Sequence, residues 1–487
     1  MISIENILLI GALLILFSIV VARAFDNFGV PTLILFLVVG MVAGENGIGR
    51  IHFNNYEAAR SIGIIALVII LFSGGLDTVW KSVKPAAWSA FSLSTLGVVL
   101  TMGLTASFTH FVFGATWISS LLLGAVISAT DVAAVFSVLR SRSLHLRTDL
   151  RSLLELESGS NDPTAVFLTV VLIAFATGKE TSTLYLPVLF LKQMGLGAIA
   201  GLILGKGLAL FLNRVRFTHD GIYPVVGLAW AFFTFGVTDR IGGSGFLAVY
   251  IAGIMAANDN MVHKRTMLRF FDGLAWLSQI GLFLVLGLLV TPSELPQVAY
   301  RGILISAFLI FAARPVAVFC SLAFSKTSWR ERLFVSWVGL RGAAPIILAT
   351  FPVLAGLSGS DKFFNVVFFI VFTSATLQGW TLPFAARILK VTVPPDPIHK
   401  SPLKFAPREN SDTELMEFML PFGSKAIGRA VVGLKLPDDA LVVLICRGDR
   451  FFVPGGGTVL EENDVIQVLV GKSGMPKVRE IFSQSRQ

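Results

Sequence analysis

The sequence predicts an all-α protein that crosses a membrane many times and ends in a small soluble α+β domain. Three observations carry this. Of 487 residues, 54% are hydrophobic and 14% charged, where soluble domains carry about 25% charged residues. The mean hydropathy is +0.78. Up to about residue 390 the apolar residues gather into runs of about 20, the length a helix needs to span hydrocarbon. Beyond that point the composition becomes that of an ordinary soluble chain.

Thirteen such runs are read as spans, at 4–22, 30–48, 60–79, 86–108, 116–138, 151–176, 186–212, 221–238, 243–257, 269–290, 300–324, 332–355 and 363–388. The eighth and ninth are separated only by Asp239-Arg240 and Gly242-Gly243. The start, Met1-Ile2-Ser3-Ile4-Glu5, lacks the basic residues and small-residue cleavage site of a signal peptide, so the first span is expected to stay. Basic residues in the connections set the orientation. Arg23; Lys81 and Lys84; Arg140, Arg142, Arg147 and Arg151; Arg214 and Arg216; Lys264, Arg265 and Arg269; Lys326, Arg330 and Arg332 fall on one side. Arg50, Arg60, Lys179, Arg240, Arg301 and Lys362 fall on the other. Fifteen against six puts the richer side in the cytoplasm, the N-terminus outside and the C-terminus inside. The net charge of +9 is then a topology signal, and no nucleic-acid partner is expected.

Two spans are interrupted, the fifth by Thr130-Asp131 and the twelfth by Gly339-Leu340-Arg341-Gly342-Ala343-Ala344-Pro345. They run antiparallel, seven spans apart. Interrupted segments at matching positions of two inverted halves point to a transporter's binding site. Spans 1–6 and 8–13 are therefore expected to be two inverted six-helix repeats, with the seventh as connector. Residues 1–390 form the membrane domain and 391–412 a proline-rich linker. Residues 413–487 form the soluble domain, with strand-like runs at Glu414–Leu420, Ala440–Cys446, Phe451–Val453 and Val465–Val470 and a helix at Met475–Ser483. About 70 residues is near the lower limit for an independent core, so this domain is expected to pair with a second copy.

The chemistry lies in Glu157-Ser158-Gly159-Ser160-Asn161-Asp162-Pro163, at the start of the sixth span. An ionisable group at bilayer depth costs at least about 2.5–3.5 kcal/mol, so several together point to binding or moving charge. At about 100° per residue, with Glu157 at zero, Asn161 falls near 40°, Ser158 near 100° and Asp162 near 140°. That is one polar stripe. Pro163 frees the Gly159 carbonyl from its helical bond. Carboxylate, hydroxyl and carbonyl oxygens suit a hard cation, and no His or Cys accompanies them to suggest a transition metal. Cys320 and Cys446 form no spaced pair, and no cofactor is expected.

Thr130 can offer backbone or hydroxyl oxygen to an ion, and Asp131 can cap the positive end of a half-helix or contribute to the site. The buried cations Arg314 and Arg341 each require compensation. Glu157 is taken as the partner of Arg341, and Arg314, before Pro315, as support for broken-helix ends. That leaves Asp162 as the free acid. One carboxylate holds a proton or a cation but not both, which suffices for exchange. With one such group, one proton replaces one cation and no net charge moves.

Ser128-Ala129-Thr130-Asp131-Val132-Ala133-Ala134-Val135-Phe136, Glu157–Pro163 and Gly339-Leu340-Arg341-Gly342-Ala343 together resemble the NhaP-type cation/proton antiporters, over about residues 1–390. The resemblance implies that Asp162 is the exchanging carboxylate and that Ser158 and Thr130 are cation ligands. It further implies a structural Asn161 bridging to the broken helix and a Glu157–Arg341 ion pair. It also implies electroneutral exchange, a homodimer formed through peripheral spans and residence in a bacterial inner membrane. The substrates would be K+, Na+ or Li+ against protons. The tail resembles the TrkA-C (RCK_C) domain of potassium transporters, through Leu436-Pro437, Leu444-Ile445-Cys446-Arg447, Phe452-Val453-Pro454 and Glu461-Glu462-Asn463-Asp464. This implies either a nucleotide ligand between paired copies or a dimerisation domain without one. Other classes fit less well. A sodium-coupled symporter of a small solute would need a second stripe of hydrogen-bonding groups. A ligand-gated potassium channel would need a carbonyl filter of the Thr-Val-Gly-Tyr-Gly kind. An enzyme would need a Ser/His, His/Glu or paired-Asp set.

Overall fold

The computed structural model describes residues 4–25, 31–45, 47–142, 144–178, 186–215, 217–258, 261, 263–393, 413–420, 424, 426–447, 450–462, 464–471 and 473–483. Residues 1–3, most of the linker (394–412), Lys179, Arg216 and Asn463 lie outside them. The chain forms two compact units, Met1–Pro394 and Pro395–Gln487.

The first unit is helical. In chain order it comprises α1 (Ile4–Phe25), α2 (Thr32–Ala43), α3 (Tyr56–Asp77) and α4 (Trp80–Phe113). The short helices α5 (Trp117–Val126) and α6 (Val132–Ser141) follow, then α7 (Thr148–Ala176), α8 (Leu186–Arg214), α9 (Ile222–Arg240) and α10 (Gly245–Asn258). Next come α11 (Lys264–Leu288), α12 (Pro292–Ser321), the short α13 (Trp329–Trp337) and α14 (Ala343–Leu354), and α15 (Ser360–Ile388). Among the described residues, nine helices are long and apolar enough to cross a membrane, and five shorter apolar helices accompany them. The fold is thus mostly helical and polytopic. The fifth and twelfth apolar runs are each split into half-helices, α5/α6 and α13/α14. Two further helices keep their course but change pitch: α4 carries a π-turn at Leu93–Gly97 and α12 one at Leu309–Ala313.

Local chemistry explains the boundaries. Asn55 caps α3 by accepting from the Ala58 N–H, and Thr116 caps α5 by accepting from Ser119. Gly114, at φ 66°, ends α4 in the left-handed conformation that spares glycine a Cβ clash. Pro163 lies inside α7, which continues through it to Ala176.

Helices associate in lipid through close packing rather than expulsion of water, so small residues mark the tightest crossings. Two crossings bring backbone against backbone. A Cβ on Gly40 of α2 would collide with Leu284 O and Gly287 Cα of α11. A Cβ on Gly75 of α3 would meet Tyr250 O and Gly253 Cα of α10. Large side chains such as Phe36, Phe72, Phe271, Phe364 and Phe368 fill the interior around them. By contrast α1 leaves Leu8, Leu9, Leu13, Leu16 and Val20 exposed, as a helix facing lipid does.

The second unit holds an antiparallel sheet in the order β3-β6-β4-β5, made of Thr413–Met419, Val465–Gly471, Ala440–Arg447 and Arg450–Phe452. (A two-residue pair, His145–Leu146 with Thr392–Val393, supplies β1 and β2 in the first unit.) A helix, α16 (Met475–Ser483), buries Val478 and Phe482 in the core of this sheet domain. Arg447 clamps the fully buried Asp464 through Nε–Oδ1 and Nη2–Oδ2 bonds, both 2.9 Å, and also reaches Glu461. These bonds hold the Arg447 guanidinium proton more firmly than usual.

The Gly75/Gly253 contact predicts the cost of a side chain there. Gly253→Val should overpack the α3–α10 crossing and destabilise the fold by about 1–3 kcal/mol. Thermal melting of the full-length protein in detergent should fall accordingly, while a valine at the open position Gly74 should change it little.

Candidate ion site at the crossing of two broken helices

The two interruptions meet. After α5 the chain turns at Ser128 and leaves the helix through Ala129–Asp131. After α13 it runs through Val338–Gly342. The segments cross, and the Asp131 N–H donates to Leu340 O at 2.8 Å. Each break exposes the carbonyls that end one half-helix and the N–H groups that begin the next. In hydrocarbon these need partners from the protein.

Asp131 serves the N–H end of the first break. Its Oδ1 accepts from Ala133 N at 2.9 Å and Ala134 N at 3.2 Å, so the carboxylate caps α6 at its positive end. Its other oxygen lies against Gly342, where any Cβ would collide with it. Position 342 therefore needs glycine for this approach.

Arg341 serves the carbonyl end. Its Nη1 donates to Ser128 O at 2.5 Å and to Ala129 O at 2.8 Å. This corrects the expected Glu157–Arg341 pair. Glu157 instead accepts from Nη2 of Arg314 at 2.5 Å, with both side chains 3% exposed. The reason is geometric. The guanidinium of Arg341 is taken up by carbonyls that the break leaves without helical partners, at the negative end of α5. Arg314, on α12, faces Glu157 on α7.

The polar stripe on α7 then reaches the first break. Ser158 Oγ donates to Thr130 O at 3.0 Å and accepts from Val132 N at 3.2 Å. Asn161 Nδ2 donates to Thr130 Oγ1 at 2.6 Å. Glu157, Ser158, Thr130, Asn161 and Asp131 are thus gathered with Arg341 and Arg314 around one crossing. Asp162 follows Asn161 on the same helix and lies within electrostatic reach of Asp131. Unlike Glu157 and Asp131, it takes no hydrogen bond or ion pair from the described residues.

The second break has helpers that sequence reasoning missed. On α15, Ser374 accepts from the Arg341 N–H, and Gln378 donates to Trp337 O. The missed signal was a buried Ser and Gln one turn apart in an apolar run, the same kind of pattern as on α7.

The Glu157–Arg314 pairing makes a direct prediction. Glu157→Gln strands a buried guanidinium and should cost about 3–5 kcal/mol, whereas Glu157→Leu combined with Arg314→Met should recover most of it. A double-mutant cycle by thermal melting should give strong coupling of Glu157 to Arg314. Coupling to Arg341, which feels Glu157 through space but donates no hydrogen bond to it, should be weaker.

Comparison with known proteins places this geometry in a family. Residues 12–388 match the transmembrane sodium/hydrogen exchanger family, and residues 415–483 match the TrkA-C domain. The chain is 40% identical to the K(+)/H(+) antiporter NhaP2 of Shewanella baltica, over 99% of this chain and 84% of that protein. It is 39% identical to the K(+)/H(+) antiporter NhaP of Alkalimonas amylolytica, over 99% and 83%. The sodium proton antiporter MjNhaP1 of Methanocaldococcus jannaschii, solved at pH 8, shares the fold with a TM-score of 0.69 at 23% identity, covering 79% of this chain and all of that one. Those relatives are named as transporters and not as enzymes. The chain belongs to the sodium/hydrogen exchanger family and carries a C-terminal TrkA-C domain.

Proposed function

We propose that this chain is an electroneutral antiporter exchanging K+ or Na+, and in the same chemistry Li+, for protons across a bacterial inner membrane. One observation carries the reading. Every other described ionisable group at the crossing is engaged: Glu157 with Arg314, Arg341 with two carbonyls, Asp131 with the start of α6. Among the described residues at the crossing, Asp162 alone is left free to bind a proton or a cation. Thr130 and Ser158, held together beside it, supply neutral oxygens to a cation, and Asp131 adds charge nearby. Occupancy by one substrate excludes the other. Movement between the two faces only when occupied then couples them in opposite directions.

The proposal includes the architecture that such alternation needs. Nine long crossings, the short α2 and α10, and the two broken pairs make thirteen spans, with the N-terminus outside and the C-terminus in the cytoplasm. Spans 1–6 and 8–13 are inverted repeats. Three matches support this at a register of about 212 residues. Gly40 corresponds to Gly253 and Gly75 to Gly287, so the two glycine crossings exchange under the symmetry. The breaks before Asp131 and Gly342 correspond. The π-turns of α4 and α12 fall in corresponding spans, about one helical turn out of that register. In that register Asp162 corresponds to Ser374, so the second repeat brings no second acid, in keeping with one proton for one cation. A homodimer through peripheral spans and a nucleotide held between paired tail domains are further parts of the proposal, supported by family resemblance.

The test is transport by purified protein in vesicles acidic inside. Adding K+ or Na+ should collapse the pH gradient without sensitivity to an imposed membrane potential, and Asp162→Asn should lower the rate to that of protein-free vesicles. Collapse at the unmodified rate in that variant would reject the assignment. A requirement for organic solute would indicate symport, and cation current without proton counterflow a channel.

A further inference from the structure

The second break is held by two side chains to which the exchange chemistry above gives no part. Ser374 and Gln378 lie one turn apart on α15, each 1% exposed. Trp337 ends α13, so its carbonyl would lack a helical partner. Gln378 Nε2 donates to it at 2.8 Å. Gln378 Oε1 accepts from Ser374 Oγ at 2.5 Å, and the same Oγ accepts from the Arg341 N–H at 3.4 Å. The proton assignments are mutually consistent. The single hydroxyl proton of Ser374 goes to the amide oxygen, leaving a lone pair for Arg341, and the amide nitrogen is turned to the carbonyl. One pair therefore ties the carbonyl that opens the break to the N–H near its close.

The tie leads on to the first break. The Arg341 side chain holds Ser128 O and Ala129 O, the residues before Thr130, and Leu340 O holds the Asp131 N–H. The arrangement parallels α7, where Ser158 spans the first break by donating to Thr130 O and accepting from Val132 N.

We propose that Gln378 and Ser374 are positioning residues for cation exchange. They fix the second break so that Leu340 and Arg341 hold Ser128–Asp131 in the form that presents Thr130 beside Asp162. The proposal rests on the exchange reading above and adds to it the outer tie on which the site's shape depends.

The experiment compares Gln378→Met, Ser374→Ala and Ser374→Thr in the full-length protein. Gln378→Met keeps volume and removes both hydrogen bonds. It should raise the K+ concentration giving half-maximal exchange by roughly three- to tenfold, the worth of a buried hydrogen bond, and shift the pH profile of the rate. Ser374→Ala should do the same to a smaller degree, and Ser374→Thr, which keeps the hydroxyl, should behave as the unmodified protein. Independently of transport, hydrogen–deuterium exchange at residues 339–342 should quicken by roughly tenfold in Gln378→Met. Unchanged amide exchange overturns the proposal whatever transport does. So does a lower maximal rate that tracks the melting temperature while half-saturation and pH profile stay fixed. If Asp162→Asn continues to exchange while the amides behave as expected, the site reading falls and the tie stands.

Discussion

The structure turns on one constraint. Two helices stop and restart at bilayer depth, where no water can bond the backbone groups they release. Each release is met by a particular group. The carbonyls after α5 go to Arg341, and the N–H groups of α6 go to Asp131. Thr130 is held by Ser158 and Asn161, and the carbonyl at the end of α13 goes to Gln378. The two segments also bond each other through Asp131 and Leu340. Charge follows the helix dipoles, with a guanidinium at a negative end and a carboxylate at a positive one. Much of the polarity that looks improbable in the sequence is thus backbone accounting.

That accounting determines which acid is left over. Three carboxylates, Asp131, Glu157 and Asp162, come to the crossing from two separate segments, and two have structural work. Glu157 offsets Arg314 in a setting where either alone would be very costly. Asp131 cannot leave its cap without exposing α6. Asp162 shares their neighbourhood without sharing their obligations. The proposed exchange of proton for cation rests on this division as much as on any ligand geometry.

The sequence was legible where physics is local. Apolar run length located the nine long helices found among the described residues, and the Asp131 and Gly342 signals located both breaks. The stripe from Glu157 to Asp162 located the cluster. The tail strands found at Thr413–Met419, Ala440–Arg447, Arg450–Phe452 and Val465–Gly471 lie on the strand-like runs. Long-range choices were not legible. Two arginines could have met Glu157, and the deciding fact, that broken-helix carbonyls claim Arg341, exists only once α5 and α14 are in place. Ser374 and Gln378 looked unremarkable because their partners are backbone atoms 33 and 41 residues away. The proposed repeat rests on matching breaks and on single glycines rather than on matching runs of residues.

Those glycines have a mechanical consequence. At Gly40/Gly287 and Gly75/Gly253 the main chains nearly touch, with no pliable side chain between them to slide or repack. Helices so joined resist shear, because any offset drives backbone into backbone. The pairs α2–α11 and α3–α10 should therefore travel as stiff panels, and any displacement of the kind the proposed exchange needs must be taken up at connecting loops and along faces padded by larger side chains.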